Sequence, residues 1–355
     1  MDFAFSTAQD ELAKLVRTMA TDLATHDGQD VDRPLWAALA RGDVLSAALP
    51  EAAGGSGLGL PEQCSVLVEL GRAVARAPYR ETIAVAAAAL AEHGSPEQVS
   101  RWVEPALRGE LVLTAALTEP PGPSTRAEAD GDGFVLSGTK ALVPTGLAAG
   151  MVLVPAVLPG GDDGLFAVLP SDAGVSLERQ AVVDGADAAW LELRGVRVGP
   201  DRRVGSGPDV VPWVTRRATV ALCAQQLGVL EGALELTAAY ATTRTQFGRP
   251  IGSFQAVSQR LADAYIDVRA ARLTLWQAVW AVTAGEPATE AVATAKFWAA
   301  EAGHRTAHTC VHVHGGAGID LDNGAHRYFT AAKRLEFELG GATSQLLTLG
   351  AALAR

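Results

Sequence analysis

The chain has 355 residues, 48% apolar and 19% charged, a composition that supports a buried core and excludes a disordered chain. Its formal net charge of −11 is the wrong sign for a nucleic-acid binder or for a protein drawn to anionic membranes. Three widely spaced cysteines, Cys64, Cys223 and Cys310, form neither a disulfide framework nor a Cys-x-x-Cys zinc pattern, and each sits in an apolar stretch. The amino-terminal MDFAFSTAQDELAKL carries early acids and no long apolar run, and no uncharged apolar segment reaches membrane-spanning length. The expectation is a cytoplasmic protein with neither a membrane nor a nucleic acid as partner.

In chain order, residues 1–110 read as an N-terminal helical domain. STAQDELAKLVRTMATDLA opens on Ser6 as N-cap, and Leu12, Leu15, Val16, Met19 and Leu23 follow at helical spacing. RPLWAALARGDV is a short helix ended by a glycine. LPEQCSVLVELGRAVARA and ETIAVAAAALAEHG are two more, and SPEQVSRWVEPALRGE has Ser95 as N-cap with Pro96 at the first helical position. Residues 111–205 change period. Six or more short strands, in LVLTAALTEP, DGFVLSGTKALVP, GMVLVPAVLP, GLFAVLPSD, VSLERQAVV and AAWLELRGVRVG, are separated by turns such as DGDG and PGGDDG and predict a small β-barrel domain or a sandwich. Residues 206–355 return to long helices that predict a C-terminal four-helix bundle. Runs of one element type, without alternation, define an α+β chain.

Several motifs weaken on inspection. GGSGLG (54–59) follows no strand of a βαβ unit and reads as a surface turn, and HGGAGID (314–320) follows a helix, so neither is a dinucleotide fingerprint. His304, His308 and His312 recur every four residues and share a helix face, yet no fourth ligand accompanies them; a hydrogen-bonded histidine face is expected and no metal site. No Gly-x-Ser-x-Gly elbow anchors nucleophilic chemistry.

The stretch YATTRTQFGRPIGSFQAVSQRLAD (240–263) is specific. It resembles the acyl-CoA dehydrogenase family, whose helical bundle carries Tyr-x-x-x-Arg-x-x-Phe-Gly-x-Pro-Ile before a Phe-Gln helix start. ALPEAAGGSGLGL, LTEPPGPS, DGFVLSGTKALVPTG and VHVHGGAGI resemble further motifs of that family, so the likeness covers nearly the whole chain. The resemblance implies FAD, bound between the β domain and the bundle with a neighbouring subunit completing the site. It implies that Arg244 reaches the FAD pyrophosphate of the neighbouring subunit, that Phe247 packs on the cofactor, and that Gln246 and Gln255 offer amide hydrogen bonds. Thr118, Ser124 and Thr145 would face the flavin, His312 stands at the family's glutamine, and Gly315 and Gly316 would allow close backbone approach. The local alternative for Arg244 is a solvated charge favoured by a helix end.

The resemblance also implies a carboxylate that takes the proton α to a thioester carbonyl. The family places it in the C-terminal stretch, which here reads EFELGGATSQLL and offers Gly341 or Leu339, or at the start of the first long bundle helix, where Arg216, Arg217 and Ala218 stand. The flavin-stacking tryptophan of the family is replaced by Leu142. No catalytic residue is therefore assigned. The first reading is the base-lacking subunit of a heteromeric, FAD-dependent acyl-CoA dehydrogenase, paired with a homologous chain in a dimer of dimers and acting on an acyl-CoA thioester such as a steroid side chain. The second is a self-sufficient flavoprotein with altered chemistry: a relocated acid such as Asp322, Glu336 or Glu338, monooxygenation, or a carrier-tethered substrate. The third is a non-catalytic scaffold.

Overall fold

The structure, a computed structural model, describes residues 5–24 and 31–354; the first residues of the amino-terminal segment read above lie outside the described residues. Helices α1 (Thr7–Leu23), α2 (Arg33–Arg41), α3 (Val44–Ala47), α4 (Leu60–Arg72), α5 (Ala88–His93), α6 (Pro96–Gln98) and α7 (Glu104–Leu107) precede the sheet. Its strands are β1 (Leu113–Ala115), β2 (Arg126–Asp130), β3 (Gly133–Pro144), β4 (Met151–Val157), β5 (Asp163–Val168), β6 (Val175–Arg179) and β7 (Ala188–Val198). Then come α8 (Val210–Thr243), a hairpin of β8 (Thr245–Gln246) and β9 (Arg249–Pro250), α9 (Gln255–Thr283), α10 (Thr289–His314), α11 (Ala325–Phe337) and α12 (Ala342–Leu353). The expected succession of helices, sheet and long helices is the observed one.

Both serine caps form. Ser6 Oγ accepts from the Gln9 N–H at 3.1 Å while Gln9 Oε1 accepts from the Ser6 N–H at 2.9 Å. Ser95 and Gln98 make the same reciprocal pair, satisfying amide groups that the first helical turn leaves orphaned. The segment Arg80–Ala87, ahead of α5, is wound in wide π-type turns and is buried throughout.

The described chain forms two compact units. One takes Leu23–Leu60 and Arg76–Ala218 and contains the sheet. Its strands run in the order β1-β4-β2-β3-β7-β6, with β5 on β4, antiparallel except for β1 and β2 beside β4. Leu136, Val143, Val152, Val154, Phe166, Leu191 and Val196 fill one face, as the alternating pattern of the strands requires. β2 is a strand that the sequence reading missed. Its Arg-Ala-Glu-Ala-Asp buries only Ala127, so it has no period-two apolar signal; the Asp130–Gly133 turn onto β3 was legible instead. β3 carries two register shifts against β7, and the second turns Leu142 into the left-handed region with the side chain 43% exposed.

The other unit takes residues up to Asp22, Pro61–Ala75 and Thr219 onward. Here α1 lies along α4 through Gln9–Ser65 and a bidentate Arg17–Glu69 pair at 2.7 and 2.8 Å. Arg72 of α4 pairs with Glu231 and Glu235 of α8, and Arg272 of α9 also binds Glu231. α4 and α8 touch backbone to backbone: a Cβ on Gly228 would sit 1.9 Å from the Val68 carbonyl oxygen, so only glycine fits. Lys296 of α10 is fully buried, its Nζ donating to the Leu335 and Glu336 carbonyls at 3.0 Å each, which caps the last turn of α11.

Candidate cofactor-binding site

The stretch after α8 is a short hairpin. The helix stops at Thr243, because Thr245–Gln246 pairs antiparallel with Arg249–Pro250. Phe247 (φ 51°) and Gly248 (φ 78°) make the two-residue turn, both left-handed, as a tight hairpin needs. Glycine takes that conformation freely; a phenylalanine does so at a cost of about 1–2 kcal/mol. Phe247 is also 93% exposed, its ring edge-on to Phe254 at 6.2 Å. Strain at an exposed aromatic that buries almost nothing within its own chain points outward.

The neighbouring candidates are likewise uncommitted. Arg244 is exposed and has neither a side-chain hydrogen bond nor an ion pair among the described residues. Gln246 Nε2 reaches only its neighbour's carbonyl, and Gln255 is exposed in the first turn of α9. At the end of α10, His312 is exposed, and Gly315 holds φ 61° and ψ −136°, a conformation reserved for glycine. A Cβ built on Gly315 or Gly316 meets nothing within 4 Å. The ends of α8 and α10 come together through Tyr240 stacked on His314, ring centroids 4.3 Å apart. A permanent cation, free amides, an aromatic face and bare backbone are the donor set that a dinucleotide's pyrophosphate and rings require, so these residues fit FAD.

Thr118, Ser124 and Thr145 belong to the sheet-containing unit. Thr118 O accepts from the Ala141 N–H at 2.9 Å, Ser124 is exposed without a side-chain partner among the described residues, and Thr145 is left-handed (φ 50°) with its N–H on the Asp187 carbonyl. The loop holding the first two is clasped by Glu119, which accepts from the Thr125 N–H at 2.9 Å and from Lys140 Nζ at 2.6 Å. Burial pushes the Glu119 carboxyl up, but the bonds from Lys140 and Thr125 outweigh it and hold the group below its ordinary range. Burial also draws Lys140 down, more than Glu119 lifts it, because the lysine is the more deeply enclosed partner. The sequence reading passed over this pair although both residues lay inside quoted motifs. A lysine in an otherwise apolar strand was the available signal.

At the C-terminal end the expected base position is a well-defined turn. Leu339 (φ 56°) and Gly340 (φ 91°) are left-handed, and Gln345 Nε2 donates to the Leu339 carbonyl at 3.1 Å. Gly341 has an ordinary φ of −78°, and a Cβ there would meet Phe337 at 3.6 Å and the Glu336 carbonyl at 3.8 Å, ordinary contacts. The backbone therefore admits a side chain that this chain does not carry. Nearby acids are engaged elsewhere: Glu336 with Lys333 at 2.6 Å and beside His304 at 3.3 Å, and Glu338 with Arg334 at 2.9 Å. Asp322 is exposed in the turn before α11. Arg217 donates to the Ala84 carbonyl at 2.7 Å. His304 and His308 do share a face, centroids 4.6 Å apart, with His308 edge-on to Phe329. Among the described residues no three His, Cys, Asp or Glu side chains gather as a metal shell.

Residues 205–354 match the acyl-CoA dehydrogenase C-terminal domain model and residues 4–110 the N-terminal domain model. The chain belongs to the acyl-CoA dehydrogenase family, whose members are FAD-dependent oxidoreductases. It is 47% identical to acyl-CoA dehydrogenase FadE27 of Mycobacterium tuberculosis, over all of this chain and 99% of that one. Among solved structures it is similar to a chain of the ChsE4-ChsE5 complex from Mycobacterium tuberculosis, with a TM-score of 0.97 and 48% identity over 100% and 99% of the two chains. A chain of the Tcur3481-Tcur3483 steroid ACAD gives 0.92 and 43% over 98% and 97%. No described helix is long and apolar enough to cross a membrane.

Proposed function

We propose that this chain is the subunit without the catalytic base in a heteromeric, cytoplasmic acyl-CoA dehydrogenase that converts an acyl-CoA thioester, with a steroid side chain as its acyl group, to the α,β-enoyl-CoA. The observation that carries the reading is the Leu339–Gly341 turn. Its backbone is held by Gln345 and would accept a side chain at 341, yet no acid stands there, and Glu336 and Glu338 are tied into ion pairs. The likeness to chains of the ChsE4-ChsE5 complex and of a steroid ACAD supports a two-chain assembly and a steroid-derived substrate.

FAD, when bound, supplies the acceptor for the hydride leaving the β carbon. This chain's part is to hold it. Arg244 would reach the pyrophosphate of a neighbouring subunit's FAD, Gln246 and Gln255 would offer amide N–H groups, Phe247 would pack on the cofactor, and Gly315–Gly316 would allow close backbone approach. His312 would offer a ring nitrogen, and in the sheet-containing unit Thr118, Ser124 and Thr145 would face a flavin. A homologous chain provides the carboxylate, in a dimer of dimers. Co-expression with a homologous acyl-CoA dehydrogenase chain tests this: the two should co-purify with flavin and with activity that neither shows alone. Copurification of flavin with a homo-oligomer that turns over by itself would favour the self-sufficient reading, and a colourless protein in every assembly would favour a scaffold.

A further inference from the structure

The two segments proposed to grip the cofactor, the hairpin after α8 and the glycine turn after α10, follow helix ends that meet through a contact between aromatic rings. Tyr240 lies over His314 at a centroid distance of 4.3 Å and an interplanar angle of 21°. His314 is buried, and its Nδ1 is 2.8 Å from the Cys310 carbonyl. A carbonyl only accepts, so that nitrogen carries the proton and the ring orientation is fixed. Each ring sits directly before a gripping segment. The Tyr240 carbonyl accepts the Arg244 N–H at 2.9 Å, and the Arg244 carbonyl accepts the Ile251 N–H at 2.8 Å, closing the base of the hairpin. Gly315, with its glycine-only backbone, follows His314 immediately. The tyrosine hydroxyl has no partner among the described residues, so the ring face is what the contact uses.

We propose that the Tyr240–His314 stack is a positioning pair that sets the spacing between Arg244 and Gly315–Gly316 and thereby sets FAD affinity. This rests on the reading that FAD is bound there. A stacked pair of this kind is worth up to roughly tenfold in an equilibrium constant, and a site holds its ligand only while its supporting layer keeps the contacting groups in register.

The test uses the full-length protein in the assembly that retains flavin. FAD is titrated into the apo form and followed by flavin fluorescence, with melting of the apo form recorded in parallel. Tyr240→Leu should weaken FAD binding by about tenfold while the apo form still melts cooperatively, and Tyr240→Phe should restore wild-type affinity. Arg244→Ala should weaken it at least as much. If Tyr240→Leu binds FAD like wild type while Arg244→Ala does not, the positioning proposal is overturned and the cofactor reading stands. If neither variant changes binding, both fall. Should Tyr240→Leu fail to fold, His314→Gln, which keeps a donor toward Cys310 but loses the ring, must show the same loss; unchanged affinity there overturns the proposal.

Discussion

Phe247 is strained and exposed at once, which a chain folding only for its own stability would not select. Asparagine is favoured at the first position of this turn type. Phe247→Asn is therefore expected to raise stability by about 0.5–1 kcal/mol in urea unfolding while lowering flavin retention, the opposing signs that mark a functional residue. Glu119 makes a second case at this scale. Its folded pKa lies below the ordinary 4.5, so its stabilising contribution is complete above that value and is lost as pH falls through the lower folded value. Glu119→Gln should cost about 2 kcal/mol at pH 7, and the gap to wild type should close as the pH falls through the lowered folded value. A gap independent of pH would contradict the assigned charge state. Arg244 and Phe247 became candidates through the family resemblance of the stretch that holds them. Tyr240 and His314 were not assigned, since residues so far apart in sequence meet only through the crossing of two helix ends.

Helix and strand boundaries followed local chemistry where local chemistry decides. Ser6 and Ser95 announce their helices through the polar residue three positions on, and both boxes form. β2 escaped because a strand with one buried residue exists by pairing with β3, not by its own pattern. The hairpin after α8 escaped for the same reason: a strand pair this short writes no period. The helix contacts invite a paired test. Gly228→Ala drives a methyl into the Val68 backbone and should cost about 3 kcal/mol, whereas Gly341→Ala should shift stability by no more than about 0.5 kcal/mol in thermal unfolding. Comparable losses at both sites would mean that the 339–341 turn is not free to take a side chain, and the significance attached to its missing acid would fail with it.

At the scale of the molecule, family membership and the succession of helices, sheet and helices were readable from motifs spread along the chain. The missing carboxylate pointed to a partner chain, but a residue absent from one sequence does not identify the chain that supplies it. The most direct measurement is dehydrogenation of an acyl-CoA thioester by the purified chain alone and after co-expression with a homologous acyl-CoA dehydrogenase chain. The account predicts negligible turnover alone and flavin-dependent turnover once the two chains co-purify. Vigorous turnover by the isolated chain would contradict it.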